Sequence, residues 1–249
     1  MAEVVVIPGL ELGKLAVSPW FMAGATALVT ACDAVCRRVD AEAGAEQLRL
    51  SNAFAASFAL VMSLMSLDYV FLQLGQGSWE EIEAVLHPSR GVALGPSEAA
   101  AGLRICVMMF AYMVSDLVER VMYSQLDVRM VTHHLACLVG LVLAIGFGHS
   151  PVYCVALSIS ELSTPAVCLF EVIEAEGSRM AKFMDPTGYT LNVVFPVRVA
   201  WFSWLCWIWI SELQPQDLEG PTRNSLGVGC VVVLTLLNWS WYLQLLIGT

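Results

Sequence analysis

The sequence predicts an all-α fold, a polytopic membrane helical bundle of about seven transmembrane helices, or six if the first is not a span. Three observations predict it. Charged residues make up only 14 % of the 249, against about 25 % in soluble domains, too few to cover a water-facing surface. The mean hydropathy is +0.71. The apolar residues also gather into separate stretches, each near the ~20 residues that a helix needs to cross the hydrocarbon. An ordinary soluble domain, a disordered chain and a nucleic-acid binder are excluded on the same grounds.

The stretches, in order, are 18–37, 50–74, 100–118, 130–148, 150–171, 189–211 and 226–247. The first carries Asp33 and many small residues and is the weakest, but Ser18-Pro19 before it is a good helix start. No basic segment precedes it, so it reads as a retained span and not as a signal peptide; Met1–Lys14 shows no targeting signal. The second carries Asp68 and the third ends near Asp116. A tight turn, Gly146-Phe147-Gly148-His149-Ser150-Pro151, separates the fourth from the fifth. Polar loops at 38–49, 75–99, 172–188 and 212–225 join the others. No linker is long enough to divide two independent units, and no repeat is visible. The organisation expected is an N-terminal segment with the first span, 1–48, followed by a six-helix domain, 49–249.

Orientation follows the Lys/Arg bias of short loops. One side collects Arg37, Arg38, Arg49, Arg120, Arg129, Arg179 and Lys182; the other has Lys14, Arg90, Arg104 and Arg223. This places the C-terminus in the cytosol and the N-terminus on the lumenal or external side. The eight cysteines lie scattered through apolar stretches without a Cys-x-x-Cys, and read as packing residues. The net charge of −10 gives no polybasic lipid-surface patch.

Ionisable residues at membrane depth are costly and face a partner or a cavity. They are Asp33, Asp68, Asp116, His133, His134, Glu161 and Arg198. Asp116, His133 and His134 fall at a common depth near the cytosolic face. Glu161 and Arg198 fall near the midpoints of adjacent spans, and each needs a partner that the other could supply. Pro165 disturbs the turn beginning at Glu161, and Pro196 the turn beginning at Asn192. Ser163 and Thr164 can satisfy the freed backbone groups. Two kinked helices with a buried charge beside each kink point to a shaped cavity. Adjacent histidines diverge by ~100° on a helix and do not chelate one metal, so no metal is expected. An imidazole is suited instead to acid–base or nucleophilic work. Trp201, Trp204, Trp207, Trp209, Trp239 and Trp241 read as an interfacial belt.

Taken in order, these features resemble the TLC-domain family, which includes ceramide synthases, translocon-associated membrane proteins and smaller TLC domain-containing proteins. The carrying residues are Tyr112-Met-Val-Ser-Asp116, Val131-Thr-His133-His134-Leu, Glu161-Leu-Ser-Thr-Pro165, and Asn192 and Phe195 ahead of Arg198. Asn52 and Ser57 are similar to the family's opening Asn and Ser, although Leu60 stands near where many relatives have a histidine. The resemblance is closest to the small TLC domain-containing proteins, where Glu-Leu-Ser-Thr-Pro is typical. It implies a multi-pass protein of the endoplasmic reticulum or a related endomembrane that serves membrane lipid homeostasis and metabolism.

In ceramide synthases the paired histidines lie at the acyl-transfer centre and are followed by a His-Asp pair and a further Asp. Here Ser160-Glu161 and Thr164 stand in that stretch, so the set is incomplete. The expectation is a protein that binds or senses a lipid or acyl chain in the bundle. The alternative is an acyl-CoA-dependent acyltransferase that N-acylates a sphingoid base or other amine lipid. His133, His134, Asp116 and Glu161 would be its catalytic residues and acyl-CoA its co-substrate, with no other cofactor. Arg198, Asn192, Ser163, Thr164 and Tyr112 would meet the lipid in either case. The partners expected are membrane lipids or acyl chains, with homo- or hetero-oligomers in the membrane left open. A retinal protein is excluded, because Lys14 and Lys182 lie outside the spans. A transporter lacks the matching broken helices of two halves.

Overall fold

The computed structural model describes residues 19–42, 49–87, 94–122, 127–147, 151–176, 184–214 and 222–247. Met1–Lys14, Arg90, Arg179, Lys182 and the turn at 148–150 lie outside the described residues. Every described element is helical. They are α1 (Pro19–Glu42), α2 (Arg49–Leu67) continuing as a π-helical segment (Asp68–Leu74), α3 (Trp79–Leu86), α4 (Pro96–Met122), α5 (Val128–Phe147) and α6 (Pro151–Ser158). A 3₁₀ segment (Ile159–Ser163), α7 (Thr164–Glu176), α8 (Met184–Ser211) and α9 (Arg223–Ile247) complete the chain order.

The helix starts reflect local chemistry. Pro19, Pro96 and Pro151 each open a helix, where a missing N–H costs nothing and the fixed φ already suits the helix. At the start of α4, the Glu98 carboxylate accepts from the Gly95 N–H at 2.7 Å, one half of a capping box. Thr222 Oγ1 accepts from the Ser225 N–H at 3.1 Å and caps α9. After the π-helical segment the chain reverses through Gln76 and Gly77, and Gly77 takes φ 77°, a conformation that glycine adopts without strain.

Among the described residues, six stretches are long and apolar enough to cross a membrane: Asn52–Leu74, Pro96–Val118, Val128–Gly146, Pro151–Phe170, Leu191–Ser211 and Arg223–Ile247. These match the second to seventh predicted spans. α1 is not among them, although it runs for 24 residues. Its apolar Leu28, Val35 and Val39 point outward, while Asp33, Arg37 and Asp40 are buried, with Arg37 Nε 3.7 Å from Asp33 Oδ1.

Neighbouring helices run α4, α5, α9, α8, α7, α2, α1 and back to α4, and α6 packs among α4, α2 and α5. The outer surface is apolar, unlike that of a soluble protein, and polar groups are buried within an apolar core. Leu72, Val193, Val197, Trp207, Leu236 and Ile247 are exposed, whereas Ser63, Ser115, Asp116, Glu161, Arg198 and Asn238 are buried. With lipid as the solvent, this puts the polar groups where they can pair.

Two details differ from the sequence reading. The connection at 75–99 contains a helix, α3, held by Ile82 and Leu86 on one face. The two prolines act differently. Before Pro165 the fifth span tightens into the 3₁₀ segment, but α8 runs through Pro196 as one continuous helix. A proline deletes a single backbone bond, and α8 keeps its helical course around the gap.

Candidate functional site

A narrow cavity lies between α4, α5, α6, the 3₁₀ segment, α8 and α9. Its walls are mostly apolar, formed by Met109, Met113, Leu141, Leu157, Trp209, Val231 and Leu234 among others. His133, Cys137, Ser158, Ser160 and Glu161 are its polar lining, with Cys154 and Cys230. From His133 to Leu143 on α5 the wall extends ~15 Å at 1.5 Å per residue.

The register of the helices gives this cavity a polar end. The Cys154 thiol donates to the Gly140 carbonyl at 3.4 Å, which levels α6 with antiparallel α5. Seven residues on from Cys154 and seven back from Gly140, Glu161 and His133 therefore stand at a similar level, ~10 Å away. The other end is marked by Trp209, whose ring lies 3.9 Å from that of Tyr153, and by Gly227.

The two histidines part company. His134 Nε2 lies 2.7 Å from Asp116 Oδ2, and its Nδ1 faces the Met130 carbonyl at 2.7 Å. Arg120 Nε donates to the same Asp116 oxygen at 2.7 Å. Both ring nitrogens of His134 are thus engaged, with Nδ1–H donating to the Met130 carbonyl. His133 faces the cavity. Its Nε2 is 3.8 Å from Cys137 Sγ one helical turn on, its ring meets Trp241 edge-on at 5.5 Å, and its Nδ1 is buried without a partner.

Glu161 and Arg198 form the second cluster, with Arg198 Nη2 3.7 Å from Glu161 Oε1. Arg198 Nη1 donates to Ser163 Oγ at 2.6 Å and to the Ser160 carbonyl at 3.3 Å, and its Nε donates to Asn238 Oδ1 at 2.5 Å. The rings of Phe195 and Phe202 each lie 5.9 Å from the guanidinium. Thr164 Oγ1 donates to Glu161 Oε2 at 2.5 Å. The 3₁₀ segment makes this possible. It leaves carbonyls without α-helical partners, and side chains take them: Arg198 at Ser160, and Ser63 Oγ at Ser158 at 3.3 Å.

The sequence-expected residues therefore divide. His133 and Glu161 line the cavity; His134 and Asp116 form a pair beside it; Ser163, Thr164 and Arg198 hold the Glu161 cluster. Tyr112 is half-buried and stacks on Phe58 at 4.6 Å. Asn192 is exposed on α8 and is not among the residues lining the cavity. It sits six residues before Arg198, a rotation of ~600° that leaves the two ~120° apart around the helix. Two of the tryptophans depart from the interfacial reading: Trp209 is buried in the cavity wall and Trp241 backs His133, whereas Trp207 and Trp239 are exposed. Sequence reasoning missed Cys137 and Asn238. The signal for Asn238 was an amide inside the apolar run of the last span. Among the described residues no group of three or more His, Cys, Asp or Glu side chains converges as a metal site.

The family model for the TLC domain matches residues 50–247. The chain belongs to the TLC-domain family. No curated protein and no solved structure matches it. The TLC match begins at α2 and leaves α1 outside. This TLC-domain protein is an integral multi-pass membrane protein.

Proposed function

We propose that this TLC-domain protein binds the hydrocarbon chain of a membrane lipid in the central cavity, with the lipid's polar end at His133 and Glu161, and through it serves membrane lipid homeostasis. The observation that carries this reading is the cavity itself. Its apolar walls end in a few polar groups, the lining chemistry common to ligand sites. That asymmetry matches an amphiphile. The partners are then membrane lipids or acyl chains. The protein is assigned to the endoplasmic reticulum or a related endomembrane, with a lumenal N-terminus and cytosolic C-terminus on the Lys/Arg bias, which puts the polar end nearer the cytosol.

The acyltransferase reading keeps one supporting observation, the unpartnered buried Nδ1 of His133, a residue of the cavity wall. The geometry narrows its catalytic set. His134 and Asp116 engage each other, which fits a positioning role and leaves His133 to meet an acyl-CoA co-substrate.

Lipid extraction from the purified protein, coupled to mass spectrometry, tests the main reading. One lipid species retained per chain at near-stoichiometric ratio, together with an altered lipid profile in cells lacking the protein, is the expected result. Protein free of lipid and an unchanged cellular profile would remove it.

A further inference from the structure

We propose that Cys137 is an acyl acceptor, taking a long-chain acyl group from an acyl thioester and holding it as a thioester inside the cavity, with His133 as the base. This rests on the lipid-chain reading of the cavity and names its covalent chemistry. Three observations carry it. Cys137 and His133 lie one turn apart on α5, both in the cavity wall, with Sγ 3.8 Å from Nε2. That is a long sulfur hydrogen bond, looser than the ~2.6–3.2 Å of an engaged nucleophile and base, and it shortens when the pair closes on an occupant.

The second observation is the state of the ring. For Nε2 to accept from the thiol, the ring proton sits on Nδ1, and Nδ1 is buried with no partner in a residue that is 5 % exposed. A buried donor left unmade is costly. An oxygen of the occupant's polar end, distinct from the carbonyl that Cys137 attacks, would complete the bond. The third is the cavity beyond, whose apolar wall toward Leu141, Trp209 and Val231 fits a hydrocarbon chain attached at Cys137.

The step balances without a further reactant. The Cys137 S–H proton moves to His133 Nε2. The thiolate sulfur attacks the thioester carbonyl carbon, a new carbon–sulfur bond forms and the donor's carbon–sulfur bond breaks. The departing thiolate takes the proton back from His133 and leaves as a free thiol. Exchange between two thioesters is nearly thermoneutral, which favours an activated thioester donor over an ester or amide.

The test uses the full chain in detergent micelles with an alkyne-tagged long-chain acyl-CoA. Labelling is read by click chemistry, intact mass and release by neutral hydroxylamine. One acyl group added per chain, released by hydroxylamine, is expected. Cys137→Ala abolishes it, His133→Gln slows it about a hundredfold, and Cys32→Ala on the outer face of α1 leaves it unchanged. No label on the wild-type chain, or equal label on Cys137→Ala, overturns the proposal; a His133→Gln variant labelled at the wild-type rate overturns the role of the base. Native mass spectrometry of Cys137→Ala separates the two claims. A variant that retains a non-covalent lipid beside an unlabelled wild type refutes only the thioester, and the absence of both refutes the lipid reading as well.

Discussion

Arg198 is held from four directions, by Glu161, Ser163, the Ser160 carbonyl and Asn238. Removing a single partner of a buried ion pair leaves an uncompensated charge, which typically costs about 3–5 kcal/mol. Arg198→Met is therefore expected to lower the melting temperature strongly, and Arg198→Met with Glu161→Gln to recover part of the loss. Fluorescence-detected size exclusion after a heating series reads both. For Asp116 and His134, a double-mutant cycle should show a coupling of about 0.5–3 kcal/mol, because they share one short contact. The sequence made the Glu161–Arg198 pairing legible, since two mid-span charges have few other ways to be satisfied. It did not reveal Asn238, because a neutral amide carries less obligation to find a partner. Nor could it separate His133 from His134: the ~100° between them assigns one to Asp116 and one to the cavity only once α5 is rotated against α4 and α9.

The broken fifth span is the element on which the site depends. A 3₁₀ helix turns about 120° per residue and an α-helix about 100°, so converting the five residues would rotate α6 by about 100° and Glu161 by about 60° relative to α7. Pro165→Ala restores the backbone donor that the break lacks. The variant is expected to fold and to carry several-fold less lipid, read as the lipid-to-protein ratio after purification; an unchanged ratio would show that the 3₁₀ geometry does not shape the site. Pro165 was legible as a break because Ser163 and Thr164 precede it with hydroxyls. Pro196 looked equivalent in sequence, yet α8 continues past it. The short α3 escaped because its Ile82 and Leu86 form an apolar face only two residues wide, far below the length of a span.

At the scale of the molecule, the six apolar spans were legible from composition and spacing alone, because the length of a spanning helix is fixed by the bilayer. The cavity was not. It arises where α4, α5, α6, α8 and α9 leave space, and such a void depends on side-chain volumes across elements far apart in the chain. Filling it separates stability from function. Val231→Phe places a larger ring in open volume, so it is expected to cost less than the ~1–3 kcal/mol of overpacking a closed core, while reducing retained lipid. A melting curve and a lipid assay on the same sample check both halves. Binding in the cavity requires the hydrocarbon chain to lie inside the bundle and not against its outer surface. The most direct measurement is photo-crosslinking with a phospholipid carrying a diazirine at the tip of one acyl chain, with the sites read by peptide mass spectrometry. Crosslinks at Leu141, Trp209 or Val231 of the cavity wall, diminished in Val231→Phe, are the result expected. Crosslinks confined to outward-facing residues such as Val193, Trp207 and Leu236 would contradict it.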